Sequence, residues 1–299
     1  MYGMRTDGRV SPEAAGAARA AGPFNPPGLL VRMLAELVEA WLPAACIVCG
    51  TGEPGGLCPA CAAALPGRCA PRCPRCGLLT AAAGAPRGCA GRTSDPSQGC
   101  TSGPPPGCAD EPPQTCAGCA ADPPPFERTL VLADYAPPLD RVVHALKFGR
   151  DASLAQPLGR CLAQGVPPDV VRAAPLVAAI PLAPQRLASR GFNQSLEIAR
   201  ALARAHRCAL APRLLRRTRA GAPASTLHAH ERRTALAGAF AAGDAAAGRT
   251  VLLVDDVMTT GATLEAAAAA LARAGAARVI NCVVARTPLP DAQRRPGPP

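Results

Sequence analysis

Val251-Leu-Leu-Val-Asp255-Asp256-Val-Met-Thr259-Thr260-Gly261-Ala262-Thr263-Leu264 is the stretch of the sequence that says most about the fold. Its apolar start predicts a buried strand, and the strand leads through two carboxylates into a short Thr/Gly loop that opens a helix. A helix N-terminus presents N–H groups without intrahelical partners and the positive end of the helix dipole, so it favours a bound phosphate. This order of elements predicts an α/β fold with a phosphate site at the end of a strand.

The residue types in this loop suit a sugar phosphate. Gly261 allows close approach of the backbone, and the hydroxyls of Thr259, Thr260 and Thr263 add hydrogen-bond donors. Two adjacent acids beside a phosphate would repel it, so they indicate a second role, either accepting hydrogen bonds from sugar hydroxyls or helping to hold Mg²⁺. The alternative is a strand–turn–helix in which Asp and Thr side chains only cap the helix.

Strands and helices alternate through the rest of residues 126–286, which predicts an open sheet flanked by helices. The predicted strands are Thr129–Ala133, Leu176–Leu182, Thr250–Val254 and Arg278–Ala285. The predicted helices are Leu139–Phe148, Leu154–Ala163, Ser195–Ala205 and Thr263–Ala274.

The composition of the sequence divides the chain into four segments. Residues 1–28 are expected to be a disordered extension, and 287–299 a disordered tail. Residues 29–121 combine an amphipathic helix, from Leu30 to Leu42, with a cysteine-rich module in which 80–115 form a loose insertion. Residues 126–286 form the α/β domain.

Twelve of the fifteen cysteines precede residue 126, and eight of them form Cys-x-x-Cys pairs. Two such pairs build a tetrahedral thiolate site of the kind that holds structural Zn²⁺. Redox-active pairs, plain buried thiols and an iron–sulfur cluster are the alternatives, and the usual spacings of the last are absent. Pairing neighbours in sequence gives two sites: Cys46, Cys49, Cys58 and Cys61, then Cys73, Cys76, Cys116 and Cys119. Outside both sets are Cys69, Cys89, Cys100 and Cys108, while Cys161, Cys208 and Cys282 are expected in the core.

The net charge of +11 lies entirely in residues 126–299, and Lys147 is the only lysine. Such a field attracts phosphorylated or nucleic-acid partners, although arginine enrichment can equally reflect overall composition. No apolar run approaches the roughly 18 residues of a membrane span, and no secretory signal is evident, so we expect a cytoplasmic protein without membrane insertion. The clustered arginines are Arg213, Arg216, Arg217, Arg219, Arg232 and Arg233.

Val251–Leu264 resembles the phosphoribosyl pyrophosphate (PRPP) motif of type I phosphoribosyltransferases. Together with the upstream Cys-x-x-Cys pairs, Lys147-Phe148 and the segment Arg186-Leu-Ala-Ser-Arg190-Gly-Phe-Asn-Gln194, the chain resembles the ComF family of competence-related proteins. The resemblance implies a double zinc ribbon followed by a type I phosphoribosyltransferase-like domain.

The resemblance also implies roles for individual residues. Asp255 and Asp256 would bind the ribose hydroxyls. Arg186, Arg190 and Lys147 would supply positive charge near the pyrophosphate, although a lone lysine on a helix is also typical of solvated surface. The residues that would cradle the 5′-phosphate are Thr259, Thr260, Gly261, Ala262 and Thr263.

Three functions follow as hypotheses. The first is transfer of ribose 5-phosphate from PRPP to a nitrogen nucleophile, with Mg²⁺ at the pyrophosphate and Zn²⁺ in the ribbon. The second keeps the pocket for PRPP or a nucleotide without turnover. The third is a competence or DNA-uptake factor that handles single-stranded DNA beside DNA-uptake proteins, although only eight aromatic residues are available for base stacking.

Overall fold

The computed structural model describes residues 45–51, 56–80, 114–218, 236 and 238–288. Several predictions fall outside these ranges: the extension 1–28, the helix from Leu30 to Leu42, nearly all of the insertion 80–115, and the tail after residue 288. The same holds for Cys89, Cys100, Cys108, Arg219, Arg232 and Arg233. Within the described ranges, no helix has the length and hydrophobicity that crossing a bilayer would require.

A sheet of five parallel strands is the centre of the fold, in the order β1-β7-β6-β2-β3. A separate antiparallel pair, β4 and β5, lies outside it. The strands are β1 Arg128–Asp134, β2 Leu176–Ala179, β3 Ala209–Leu210, β4 Leu215–Arg217, β5 Phe240–Ala242, β6 Thr250–Met258 and β7 Arg278–Arg286. The parallel sheet with its helices confirms the predicted fold class.

The helices agree closely with the periodicity of the sequence, and two short ones in the α/β domain were not predicted. The α-helices are α1 Pro59–Ala64, α2 Ala117–Ala121, α3 Leu139–Phe148, α4 Ala155–Gln164, α5 Pro168–Arg172, α6 Pro184–Arg190, α7 Gln194–His206 and α8 Ala262–Arg273. The unpredicted α5 and α6 each begin with proline, whose fixed φ suits a first helical turn. Both are too short for an apolar periodicity to identify them.

The sheet is buried on both faces, as a parallel sheet requires. Alternate residues of β6 face opposite sides: Leu252 and Val254 pack into the cluster that contains α3, α4 and α7, whereas Val251 and Leu253 pack into the cluster that contains α8. Because both faces are covered, ligands can reach the sheet only at its edges and ends.

Two strand ends differ from the prediction, and both differences bear on the site. β2 was predicted to extend to Leu182 but ends at Ala179, since Pro181 has no N–H for the ladder. β6 continues beyond Val254 to Met258 and pairs with β7 along the way. The two aspartates therefore belong to the last residues of a rigid strand rather than to the loop.

Candidate functional site

Asp255 and Asp256 lie near the carboxyl end of β6, where open α/β sheets bind ligands. Asp255 is half-buried, and its Oδ1 accepts hydrogen bonds from the Ser195 hydroxyl at 2.9 Å and from the Asp256 backbone N–H at 2.9 Å. Asp256 is buried, and its Oδ1 lies 3.0 Å from Nζ of Lys147. Helices α3 and α7 thus each place one polar side chain on the acidic pair.

The environment of Asp255 changes its acidity. Burial, and then repulsion from Asp256, raise the pKa of Asp255 to about 7. The Ser195 hydrogen bond and the positive charge of Lys147 act in the opposite direction, because they stabilise the carboxylate. Asp255 therefore takes up or releases a proton near neutral pH.

The segment from Thr259 to Thr263 is the loop for which the sequence predicts phosphate binding, and we call it the phosphate loop. Gly261 is the N-cap of α8 with a φ of +90°, which strains any other residue, and a Cβ there would lie 2.7 Å from Cε of Met258 and displace it. The Thr260 hydroxyl accepts a 3.4 Å hydrogen bond from the Ala262 N–H. Thr259 is exposed, and the first N–H groups of α8 have no intrahelical acceptors. The loop therefore presents hydroxyl and N–H donors beside the two aspartates.

Arg186 and Arg190 lie on α6, one of the two helices that the sequence did not predict. Arg190 donates to Oε1 of Gln194 at 3.1 Å, and its guanidinium lies 5.5 Å from the centre of the Phe148 ring. Arg186 is exposed. The chain then turns back through Asn193, whose side-chain amide donates to the Ile180 carbonyl at 3.0 Å and so anchors the start of α7 to the end of β2.

Each predicted set of four cysteines comes together in space, with all four sulfurs within 4.8 Å of one another. Four sulfurs placed tetrahedrally about 2.3 Å from an ion are about 3.8 Å apart, and the Cys49–Cys58 and Cys76–Cys116 sulfurs are 3.7 Å apart. Backbone N–H groups also point at the sulfurs: Cys58 N–H donates to Cys46 Sγ at 3.4 Å, which suits a thiolate ligand. The donor sets therefore fit Zn²⁺ at both places. We call them the first cluster (Cys46, Cys49, Cys58 and Cys61) and the second cluster (Cys73, Cys76, Cys116 and Cys119).

The second cluster is attached to the outer edge of the sheet, along β1. The Thr129 N–H donates to the Pro74 carbonyl at 2.8 Å, and the Thr129 hydroxyl donates to the Arg75 carbonyl at 2.6 Å. At the other end of β1, Asp134 forms a 2.7 Å ion pair with Arg72. These bonds satisfy groups that an edge strand would otherwise leave open, so the ribbon is part of the sheet's architecture.

The sequence of this chain is similar to those of known proteins. Residues 193–295 match the Phosphoribosyl transferase domain family. The DNA utilization protein YhgH of Escherichia coli O157:H7 is 38% identical over 173 residues, which are 56% of this chain and 76% of that protein. The chain belongs to the ComF family. The YhgH protein of Salmonella typhimurium is 33% identical over 236 residues, covering 78% of this chain and 91% of that protein.

Among solved structures, TT1426 from Thermus thermophilus matches at 21% identity and a TM-score of 0.30, covering 46% of this chain and 84% of that one. The match to the YhgH protein of Salmonella typhimurium is longer than the phosphoribosyltransferase domain of this ComF-family chain. The match to the domain family begins at Asn193, the N-cap of α7. That domain match includes both aspartates and the whole phosphate loop.

Three residues that organise the site of this ComF-family protein were not identified from the sequence. Ser195 lies at the start of a predicted helix, and only its contact with Asp255 reveals its role. Arg150 donates to the Ser189 carbonyl at 2.8 Å and links the end of α3 to α6. Arg286 ends β7 with only 1% of its surface exposed. Only Arg286 has a sequence signal of its own, because it is an arginine at the end of an apolar strand.

Two of the three cysteines that were predicted to lie in the core are buried. Cys161 and Cys282 are buried, and burial raises their pKa values to about 11 and about 12. Cys208 is half-buried, so it only borders the core. Cys69 is exposed and belongs to neither cluster.

Proposed function

We propose that this chain binds PRPP at the carboxyl end of β6. Asp255 and Asp256 accept hydrogen bonds from the ribose hydroxyls, and the phosphate loop holds the 5′-phosphate. Arg186, Arg190 and Lys147 supply the positive charge for the pyrophosphate side. The observation that carries the proposal is the acidic pair held rigidly in β6, directly before a donor-rich loop that opens α8.

The chemistry that suits this arrangement is phosphoribosyl transfer. A nitrogen nucleophile forms a bond to C1 of the ribose while the bond from C1 to the pyrophosphate oxygen breaks, and pyrophosphate leaves with that electron pair. Positive charge develops on the ribose, so carboxylates on the ribose hydroxyls and a fixed phosphate contribute through position and electrostatics. The acceptor is a base with a nucleophilic ring or amine nitrogen.

Two ions complete the proposal. Mg²⁺ bound together with PRPP would supply positive charge to the leaving pyrophosphate. The four thiolates of each cluster would leave Zn²⁺ no open coordination position, so its role there would be structural. Reduced clusters of this kind suit the reducing cytoplasm, where we place the protein.

Calorimetry with PRPP and with ribose 5-phosphate, each with and without Mg²⁺, tests the pocket. The parent should bind both ligands, and Asp255→Asn with Asp256→Asn should abolish binding while far-UV circular dichroism stays unchanged. Asp244→Asn is the matched control, because Asp244 is an exposed acid outside the pocket. A pyrophosphate-release screen over nucleobases then separates transfer from binding without turnover. Unchanged affinity in the double variant would contradict the assignment of the ribose contacts.

A second function, binding of single-stranded DNA, is supported by a separate observation. Phe148 is 64% exposed and is the last residue of α3, the helix that carries Lys147. The His144 ring lies 4.7 Å from its ring, and the guanidinium of Arg190 lies over it. An exposed aromatic ring with a neighbouring arginine suits a stacked base and its phosphate. The relatives named for DNA utilization agree with this use.

Fluorescence anisotropy with labelled oligo(dT) tests the second function. Phe148→Ala should weaken binding by about 1–3 kcal/mol if one base stacks on the ring. Phe148→Tyr should retain it. Leu79→Ala, at another exposed apolar residue, is the control on the ribbon. Equal affinities of the parent and Phe148→Ala would exclude stacking at this ring.

A further inference from the structure

Arg286 lies between the second cluster and the phosphate loop and contacts both. Its Nε donates to the Cys76 carbonyl at 2.9 Å, and its Nη1 donates to the Met258 carbonyl at 2.9 Å and to the Thr259 carbonyl. The same Nη1 donates to the Thr287 carbonyl at 2.9 Å. A single buried side chain therefore joins the turn between Cys73 and Cys76 to the first residues of the loop.

The hydrogen-bond acceptors of Arg286 within the described residues are all backbone carbonyls, and none is a carboxylate. A buried cation needs an opposite charge nearby. Four thiolates around one Zn²⁺ carry a formal charge of about −2, and the cluster that includes Cys76 lies directly beside the guanidinium. A filled cluster, together with the nearby Asp134 carboxylate, would stabilise Arg286 in its buried position.

The carbonyls that Arg286 contacts help to set where the loop's N–H groups point, although the Met258 carbonyl also accepts a 3.0 Å hydrogen bond from the Thr287 N–H. In a trans peptide the C=O and the N–H of one unit point in opposite directions. With the Met258 and Thr259 carbonyls held on Arg286, the N–H groups of Thr259 and Thr260 point away from it. These are donors available to a phosphate at the start of α8.

We propose that Arg286 is a positioning residue through which the metal-filled second cluster holds the phosphate loop in its phosphate-binding shape. The proposal rests on the proposed function of the loop and adds a dependence on a site outside the pocket. Coupling of this kind is reciprocal. Zinc in the second cluster should tighten phosphate binding, and bound phosphate should slow the loss of that zinc.

Arg286→Lys is the decisive variant, because it keeps the charge but cannot reach all four carbonyls. Arg75→Lys is the matched control: Arg75 lies in the same Cys73–Cys76 turn and donates to the Phe126 carbonyl at 3.1 Å, outside the phosphate loop. Three quantities are measured: hydrogen exchange of residues 258–264, affinity for ribose 5-phosphate, and the rate at which a chelator removes zinc with and without that ligand.

The expected result is faster loop exchange in Arg286→Lys, an affinity at least about fivefold lower, and no slowing of zinc release by ribose 5-phosphate. Arg75→Lys should match the parent in all three. Unchanged loop exchange and affinity in Arg286→Lys would overturn the proposal. If the parent does not bind ribose 5-phosphate, the proposed function fails, and the exchange measurement still decides whether the cluster controls the loop.

A second series keeps the test valid if Arg286→Lys folds poorly or loses zinc. In the parent, partial chelation gives protein with one or two zinc ions, and loop exchange is followed against zinc content. Faster exchange of residues 258–264 on loss of the second-cluster zinc supports the coupling. Exchange that does not change with zinc content overturns it.

Discussion

Nζ of Lys147, on α3, lies 3.0 Å from Oδ1 of Asp256, on β6, and both side chains are largely shielded from solvent. The only lysine of the chain is therefore committed to the acidic pair rather than to the solvated surface. Its charge also acts on Asp255, whose pKa it helps to lower against the effect of burial. The ion pair holds the cation of α3 beside the acidic pair of β6.

Lys147→Met should raise the pKa of Asp255 further, because the carboxylate loses a stabilising positive charge. If binding of ribose 5-phosphate needs ionised Asp255, its affinity should then rise with pH at a higher pH than in the parent. We also expect a loss of about 1–3 kcal/mol in stability, since a buried acceptor loses its partner. Calorimetry from about pH 5.5 to about pH 8.5, a range that brackets the raised pKa, measures the first effect, and urea unfolding measures the second. A pH profile identical to the parent's would contradict the role of Lys147.

Asp255 should make the protein less stable as the pH rises. Its folded-state pKa, about 7, is above its ordinary value of 3.8, so between these values the folded state holds more protons than the unfolded state. The free energy of unfolding from this group therefore falls as pH increases from about 4 to about 7. Asp255→Asn should remove this fall, which is on the order of a few kcal/mol. Urea unfolding at a series of pH values measures it, with Asp244→Asn as the control.

Gly261→Ala should impair both folding and binding. The left-handed φ costs a non-glycine residue about 1–2 kcal/mol, and the added Cβ would displace Met258 next to the loop. Gly248→Ala is the control, since Gly248 has a φ of +68° but no atom within 4 Å of the added Cβ. Both variants should lose stability, whereas only Gly261→Ala should lose affinity for ribose 5-phosphate. Equal affinities in the two variants would show that the loop backbone does not contact the phosphate.

The purified protein should contain close to two zinc ions, one in each cluster. Cys73→Ser with Cys76→Ser should reduce the content to about one, because the second cluster loses two of its four ligands and metal affinity there supplies folding free energy. Cys69→Ser should leave it unchanged, since Cys69 is outside both clusters. Elemental analysis measures the content. Iron, or folded protein without metal, would contradict the assignment.

Replacing Arg213 and Arg216 by Ala tests whether the exposed arginines bind single-stranded DNA. Each DNA phosphate that is no longer neutralised should reduce the slope of log affinity against log salt by about 0.7. Arg217 is a poorer candidate, because its guanidinium lies 5.3 Å from the centre of the Phe240 ring and burial lowers its pKa. Affinity for PRPP should not change. A salt slope equal to the parent's would remove this surface from the DNA hypothesis and leave the ring of Phe148 as the candidate.

Local patterns in the sequence were enough for the elements that depend on neighbouring residues. The order of strand, acidic pair, glycine and helix in Val251–Leu264 depends on one short stretch of chain, and β6 and α8 form where it predicts them, although β6 continues to Met258. The cysteine pairs are similar, since each Cys-x-x-Cys turn brings its two sulfurs together locally. Joining Cys73 and Cys76 to Cys116 and Cys119 across a long insertion was predicted by pairing neighbours in sequence, and the four sulfurs do lie together.

The tertiary structure alone decided which distant side chains complete the site. Ser195 reaches Asp255 across 60 residues of sequence, and Arg286 reaches Cys76 across 210. No periodicity encodes such contacts, because they follow from the order in which β1, β7, β6 and β2 pair and from the helices packed on them. Residue types and spacing thus determined the PRPP-like motif and the cysteine pairs, whereas strand order brought the second cluster, Arg286 and the phosphate loop together.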